Sequence, residues 1–354
     1  MAGLVGWLAL VGCGGSRAAN DAGVALDASA DAERPRDSGP PPIDAARGLG
    51  LRIVTFNSGT TLGLSHERAP DDGYGDAEAT LSDEYYGNGL AWTRAIEDVR
   101  RFFETLEPDV VVFQEIFHPE ECEAVPVEAR AGFVCDGWVS GDPSVVQRVL
   151  GPDFQIACHL DKPDKCAAVR RAVGGFRGCE SALCLNGLAG ARVPDCGGGS
   201  RIGRGVIELV GGGELTLVSV HGSSGLDLPD QACRVAQFRQ VFEDLGLGDG
   251  PAANGTSNVI LGDFNTDPVR LARLDESARY LASRAEIGAA GGFRFLSEVA
   301  EGAPPTYLNA IIDHVIVDDA TGRCFAAGIT PGTEAPTEMV YFDHRPLVCD
   351  LDPR

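Results

Sequence analysis

The chain has 354 residues, enough to bury a sizeable core in one large domain or two ordinary ones. Hydrophobic residues make up 44% and charged residues 23%, which excludes a chain disordered throughout, and no apolar run suits a polytopic membrane protein. The formal net charge of −23 excludes an overall basic footprint for nucleic acid. It does not exclude a phosphate substrate, because a bound divalent cation reverses the sign locally.

Ala2 to Gly12 is apolar and too short to span a bilayer as a helix, but it suits the apolar region of a signal peptide. It ends Leu10-Val11-Gly12-Cys13, which resembles the lipobox of bacterial lipoproteins. The resemblance implies that residues 1–13 are a signal peptide, that Cys13 is lipidated, and that the chain is anchored to a membrane. No Lys or Arg precedes Cys13, so the usual positive start is absent, and an unprocessed apolar tail is the plainer alternative. Residues 14–48 are rich in Ala, Asp, Pro, Gly and Ser and read as a disordered tether. The domain then runs over 49–354. The expectation is an exported lipoprotein of the outer membrane or cell surface.

Leu51-Arg52-Ile53-Val54-Thr55-Phe56-Asn57 alternates and is β-branched, so it reads as a strand. Ser58 to Gly89 reads as a long acidic loop of the kind that is often functional. Leu90 to Leu106 carries Ile96, Val99, Phe103 and Leu106 at helical spacing and stops before Pro108. Asp109 to Glu115 is a buried strand ending in Gln114 and Glu115. Gly205–Leu209 and Leu215–His221 suggest a hairpin. Gln231 to Leu245 is a helix with Val235, Phe238, Phe242 and Leu245 on one face. Val259–Asn265 and Ile311–Val317 are further strands, and Asp343-His344-Arg345-Pro346 leads into the last one.

Only two of the 29 basic residues are lysines, Lys162 and Lys165, so oxyanion binding falls mostly to arginine. Setting Cys13 apart, ten cysteines remain, and none forms a Cys-x-x-Cys pair. Seven lie between Cys122 and Cys196 in a glycine-rich stretch. That stretch, about 118–200, reads as an inserted region stapled by disulfides in an oxidising compartment. Cys324 and Cys349 flank the last two strands and could bridge them. Connectivity stays open at this point, and buried free thiols are the plainer alternative.

Strands thus end repeatedly in Asn, Glu, His or Asp, and rigid strand ends that converge can build one polar site. Taken singly, each residue is weak evidence, since Asn and Asp usually form turns and a lone His is usually structural. The weight lies in the ordered set Asn57, Glu115, His221, Asp263 with Asn265, Asp313, and Asp343 with His344. With the strings Gln114-Glu115, Ser219-Val220-His221, Gly262-Asp263-Phe264-Asn265 and Ile312-Asp313-His314-Val315, this set resembles the endonuclease/exonuclease/phosphatase superfamily. The implied fold is α/β and deoxyribonuclease I-like: a four-layered sandwich of two packed mixed sheets flanked by helices.

The resemblance implies that Glu115, with Asn57 beside it and Asp343 at the same centre, holds Mg²⁺ (or Mn²⁺ or Ca²⁺). Asp263 and Asn265 would orient the attacking water and the phosphate. His221 and His344 would flank the scissile phosphate, and Asp313 would hydrogen-bond a histidine. An acid that often partners the last histidine is absent from the hairpin, where Arg204 stands instead. Arg204, with Arg201, is therefore a candidate for substrate phosphate.

The leading expectation is a metal-dependent phosphodiesterase acting on extracellular nucleic acid, DNA or RNA. A sphingomyelinase-like phospholipase C or a phosphatase is the second reading. The phospholipase would need an exposed apolar hairpin, for which Tyr85-Tyr86 and Phe133 with Trp138 are the hints. A non-catalytic surface binding protein on the same scaffold is the third. No protein partner is evident in the sequence.

Overall fold

The computed structural model describes residues 50–60, 73–286, 292–336 and 340–352. The signal peptide, Cys13 and the tether therefore lie outside the described residues. Sheet one contains β1 (Leu51–Asn57), β2 (Val110–Gln114), β3 (Phe154–His159), β4 (Lys162–Arg170), β6 (Leu183–Leu188), β12 (Thr321–Ala326) and β13 (Leu347–Asp352). Their order is β12-β13-β1-β2-β4-β3-β6. Sheet two contains β5 (Gly174–Phe176), β7 (Ile202–Leu209), β8 (Glu214–His221), β9 (Asn258–Asp263), β10 (Arg294–Phe295) and β11 (Asp313–Val317), in the order β10-β11-β9-β8-β7-β5. Both sheets are mixed: β1–β2, β3–β6 and β8–β9 are parallel, and the other pairs are antiparallel.

Helices cover the outer faces. α2 (Thr93–Leu106) and α3 (Val145–Leu150) pack on sheet one through Ile96, Val99, Phe103 and Val149, meeting Val54, Phe56, Val111 and Phe113. A left-handed Glu107 and then Pro108 end α2. α4 (Leu228–Phe242) and α5 (Glu276–Arg284) cover sheet two through Phe238, Val241 and Leu281. A third apolar cluster fills the space between the sheets. The layers run helices, sheet, sheet, helices, as the sequence implies. Among the described residues no helix is long and apolar enough to cross a membrane.

Three expectations change. The Cys-rich stretch, expected as an insertion within the domain, supplies β3, β4 and β6 to sheet one and β5 to sheet two. Its many glycines and short Cys-Ala-Ala-Val run hide the alternation that would mark strands. The face of α4 is also rotated: Gln231, Arg234 and Gln237 are buried while Val235 and Phe242 are only half-buried. Arg234 draws this face inward by bonding Asp275 at 3.0 Å. Third, the acidic loop is partly helical, with α1 over Asp76–Leu81, and Tyr74 and Tyr86 are buried in the sheet-one cluster. Tyr86 stacks on Phe133 with ring centroids 4.5 Å apart, so these aromatics are core rather than an exposed hairpin.

All ten cysteines after Cys13 pair, as Cys122–Cys135, Cys158–Cys166, Cys179–Cys184, Cys196–Cys233 and Cys324–Cys349. The last joins directly opposed residues of β12 and β13. Cys196–Cys233 ties the loop before β7 to α4. Disulfides of this number persist in oxidising compartments outside the cell, where thiols are not kept reduced.

Candidate active site

Strand side chains alternate between faces, and this places the site. On β1, β2, β8, β9 and β11 the residues Ile53, Val112, Leu217, Leu261 and Val315 all point into the inter-sheet layer. Two positions along on the same face stand Thr55 and then Asn57, Gln114, Ser219 and then His221, Asp263, and Asp313. One end of the apolar layer is therefore polar. Burying an amide or hydroxyl without a partner costs about 1–3 kcal/mol, so such an end is stable only if its groups bond one another.

They do. His221, Asp263 and Asp313 form one row, with His221 opposite Asp263 and Asp263 opposite Asp313. From sheet one, Asn57 Nδ2 donates to Asp263 Oδ2 at 2.9 Å. Asn265 donates to the same carboxylate twice, from its backbone N at 2.7 Å and from Nδ2 at 3.0 Å. His344 enters just before β13, with Nδ1 2.8 Å from Asp313 Oδ2 and Nε2 3.8 Å from Asp263 Oδ2. His221 Nε2 lies 3.3 Å from Glu115 Oε1 and 3.8 Å from the same Asp263 oxygen. Two imidazoles thus approach one buried carboxylate oxygen.

Glu115 is the open member, with its side chain 38% exposed. It follows β2 with φ +59°, a left-handed conformation costly for a non-glycine residue. Its backbone is held by Asn88 Nδ2, which donates to the Glu115 carbonyl and, at 2.8 Å, to Ser58 Oγ. Ile116 N donates to the Asp164 carbonyl at 2.9 Å. A Cβ at residue 59 would push aside the Glu115 carboxylate, so glycine there lets the carboxylate keep this position.

The electrostatics separate the two histidines. Burial works against a charged His344, but Asp313 and then Asp263 outweigh it and hold its pKa up at about 10. His221 goes the other way: burial and then the charge of Lys165 bring it down to about 4, despite Glu115. Burial pushes the Asp263 carboxyl up, His344 opposes this, and Asp313 adds to the rise. For Glu115 burial is outweighed by the hydrogen bond and charge of His221, helped by His344 and Lys165, which hold it down at about 2.

The structure does not bring Arg204 to this cluster. On β7, Ile207 points into the inter-sheet layer and Ile202 toward the helices, so Arg204 shares the helix-side face. Its guanidinium pairs with Asp249. Arg201 is nearer: its carbonyl accepts from His221 N at 3.0 Å, and its Nη1 donates to the Gly222 carbonyl at 3.3 Å. Asp343 flanks the cluster, and its charge contributes to raising both His344 and Asp83.

Three further residues belong to the site. Lys165 is buried beside Glu115 and His221. Tyr307 lays its ring 4.6 Å from that of His344. Asn88 holds the Glu115 backbone. Lys165 had a sequence signal in the scarcity of lysine. Tyr307 and Asn88 had none, since each sits in a loop without periodicity.

Among the described residues, Asp263, Asp313 and His344 bring three potential ligand atoms within 4.8 Å of one another. There the His344 ring already lies between the two carboxylates, 2.8 Å from Asp313 and 3.8 Å from Asp263. Glu115 and Asn57 fit a hard divalent ion better. The carboxylate is ionised and open, the amide oxygen is beside it, and no thiolate competes because the domain's cysteines are paired.

No family model matches the sequence, and no curated protein matches it. Among solved structures the chain is similar to an endonuclease/exonuclease/phosphatase family protein of Bacteroides thetaiotaomicron, at 13% identity over 86% of this chain and 98% of that one, with a TM-score of 0.48. It is similar to a mannosyl-6-phosphatase of the same organism at 14% identity, over 85% and 99% of the two chains, TM-score 0.45. The human Nocturnin catalytic domain with bound sulfate gives 12% identity over 86% and 94%, TM-score 0.46. At identities this low, the chemistry has to be argued from this chain's own residues.

Proposed function

We propose that this chain is a divalent-metal-dependent phosphodiesterase that cleaves nucleic acid in the manner of a nuclease. The supporting observation is the row His221, Asp263 and Asp313 with His344 bonded to its far end. In-line attack on phosphorus builds negative charge on oxygens that are already anionic, so a competent site needs fixed positive charge and a proton acceptor. When bound at Glu115 and Asn57, a divalent cation supplies a Lewis acid for a phosphoryl oxygen. His344, held at 2.8 Å from Asp313, donates to the phosphoryl oxygens. Burial and Lys165 lower the His221 pKa to about 4, which favours the neutral ring, and its Nε2 faces Glu115 and Asp263. It therefore takes the proton of the attacking water, which Asp263 and Asn265 orient.

The ten paired cysteines support action outside the cytoplasm. Lipidation at Cys13, with residues 14–48 as tether, remains part of the proposal. Of the aromatic hints for the phospholipase alternative, Tyr86 and Phe133 are buried, and Tyr85 and Trp138 pack partly buried against the same cluster. The test is cleavage of plasmid DNA by the mature chain with Mg²⁺, with chelator, and as His344→Ala. Cleavage abolished by both changes supports the reading. A folded wild-type protein that leaves DNA and RNA intact under all metals sinks the nuclease assignment.

A further inference from the structure

Both lysines of the chain lie on β4, at Lys162 and Lys165. In a chain of net charge −23, that placement beside the site asks for a reason. Lys165 precedes Cys166, which pairs with Phe113 of β2, so it sits beside Gln114 and Glu115. Its side chain is 2% exposed, and among the described residues its Nζ has one hydrogen-bond acceptor, Asp164 Oδ2 at 2.6 Å. An ammonium carries three donors. Asp164 Oδ1 is itself buried without a partner. A purely structural ion pair would satisfy these groups, since burial without partners is costly.

Arg201 joins Lys165 on the same flank. It is half-buried, its Nε is buried without a partner, and its Nη1 reaches the Gly222 carbonyl. That carbonyl also accepts from Asn265 Nδ2 at 3.1 Å. Arg201 adjoins His221, whose N donates to the Arg201 carbonyl at 3.0 Å, and Lys165 flanks Glu115, whose Oε1 lies 3.3 Å from His221 Nε2. The opposite flank, beyond His344, carries Asp313, Asp343 and Asp83. Both cations, Lys165 and Arg201, thus lie on the His221 flank, beside Glu115 and Asp164.

We propose that Lys165 and Arg201 form an anion subsite on the His221 flank that takes a second phosphate group of the substrate, next to the scissile one. This rests on the phosphoesterase reading above. The substrate class is then one with phosphates in series, as along a nucleic-acid strand or on a sugar carrying two phosphates. Arg201 supplies a planar fork suited to an oxyanion, and Lys165 a point charge beneath it. Asp164 orients the lysine and leaves its remaining donors for the ligand.

The test uses the full chain with its disulfides formed. Hydrolysis of a dinucleotide with and without a 5′-phosphate is compared, as is a sugar bisphosphate against the corresponding monophosphate. The wild type has a KM lower by about tenfold or more for the doubly phosphorylated member, the scale of one charge-assisted hydrogen bond. Arg201→Gln and Lys165→Gln each bring that ratio close to one, while Arg204→Gln leaves it unchanged. Preference in the dinucleotide pair assigns the second phosphate to nucleic acid, and preference in the sugar pair to a sugar phosphate. A ratio near one in the wild type, or one retained in both variants, overturns the subsite. If the buried Lys165→Gln fails to fold, Arg201→Gln alone decides. Calorimetry with inorganic pyrophosphate and no divalent metal gives a second readout, in which Arg201→Gln loses about tenfold in affinity. Unchanged affinity overturns the subsite. Pyrophosphate binding lost in Arg201→Gln, together with no hydrolysis of any phosphate ester, upholds an anion site and overturns the phosphoesterase reading instead.

Discussion

Asp263 and Asp313 stand directly opposite each other on β9 and β11, both buried and both on the inter-sheet face. Like charges so placed destabilise a sheet, and the dry layer strengthens the repulsion. His344 resolves the conflict by lying 2.8 Å from one carboxylate and 3.8 Å from the other. The arrangement that eases this repulsion is thus the one that fixes the His344 ring between the two acids.

The His344 pKa is raised to about 10, so its contribution to stability is complete below the unfolded value of about 6.5 and is lost as pH rises through 10. Thermal unfolding followed in chelator from pH 6 to 10 should show a falling melting temperature in the wild type. In His344→Gln the fall moves to lower pH, where the two acids ionise with no cation between them. Identical profiles for the two proteins would contradict the role given to this residue. Activity of the variant should fall by roughly 10²–10³-fold, the scale of losing one donor to the developing charge.

Glu115→Gln keeps the shape of the side chain but removes its charge. Mg²⁺ or Mn²⁺ affinity, measured by titration calorimetry, should drop by at least about 10–100-fold, a range that even residues behind metal ligands reach. The fold should tolerate the change, because the side chain is half-open to solvent. Unaltered metal affinity would move the metal site elsewhere, with Asp263, Asp313 and His344 the next set to test.

Asp275→Asn should be among the most destabilising single changes outside the site. Asp275 accepts from Arg234 Nη2 at 3.0 Å and from Thr266 Oγ1 at 2.6 Å, and Arg234 Nη1 holds the carbonyls of Ser223 and Gly225 at 2.7 Å. This network joins the chain just after His221 to the chain just after Asn265. Removing one partner of a buried pair costs about 3–5 kcal/mol, which denaturant unfolding would read directly. A loss below about 1 kcal/mol, the scale of an exposed pair, would show the network to be dispensable.

Among the disulfides, Cys196–Cys233 closes the longest loop, 37 residues, against 8 for Cys158–Cys166. Chain entropy then assigns about 4 kcal/mol to the first and about 2.5 kcal/mol to the second. Paired Ser substitutions, compared by denaturant midpoint, test that order. A reversed order would mean that packing around the buried Cys158 and Cys166 outweighs loop closure.

The polar strand ends are readable in the sequence because the signal is local. Asn57, His221 and Asp263 each close an alternating strand and Asp313 opens one, so the polar side chain at the end takes a face that the apolar residues of the strand already mark. The same logic fails for Arg204. The inward positions beside it on β7 are Gly203 and Gly205, which carry no side chain and so no hydropathy contrast to tell one face from the other. Gly203 is needed there because a Cβ would strike the His159 ring. Lys165 is obscured for a related reason, since Pro163, Asp164 and Lys165 interrupt the pattern at the very point where β4 meets the site.

By itself the sequence determined what depends on neighbours along the chain. The strand ends, the stop of a helix before Pro108 and the even set of cysteines after Cys13 are of this kind. Only the tertiary structure decided which ends meet. Asn57 bonds Asp263 across 206 positions, and Cys196 finds Cys233 rather than one of its nearer fellows. A period of two tells which face a residue takes but not which strand lies beside it or in what register. Those follow from how two sheets and their helices bury the most apolar surface together.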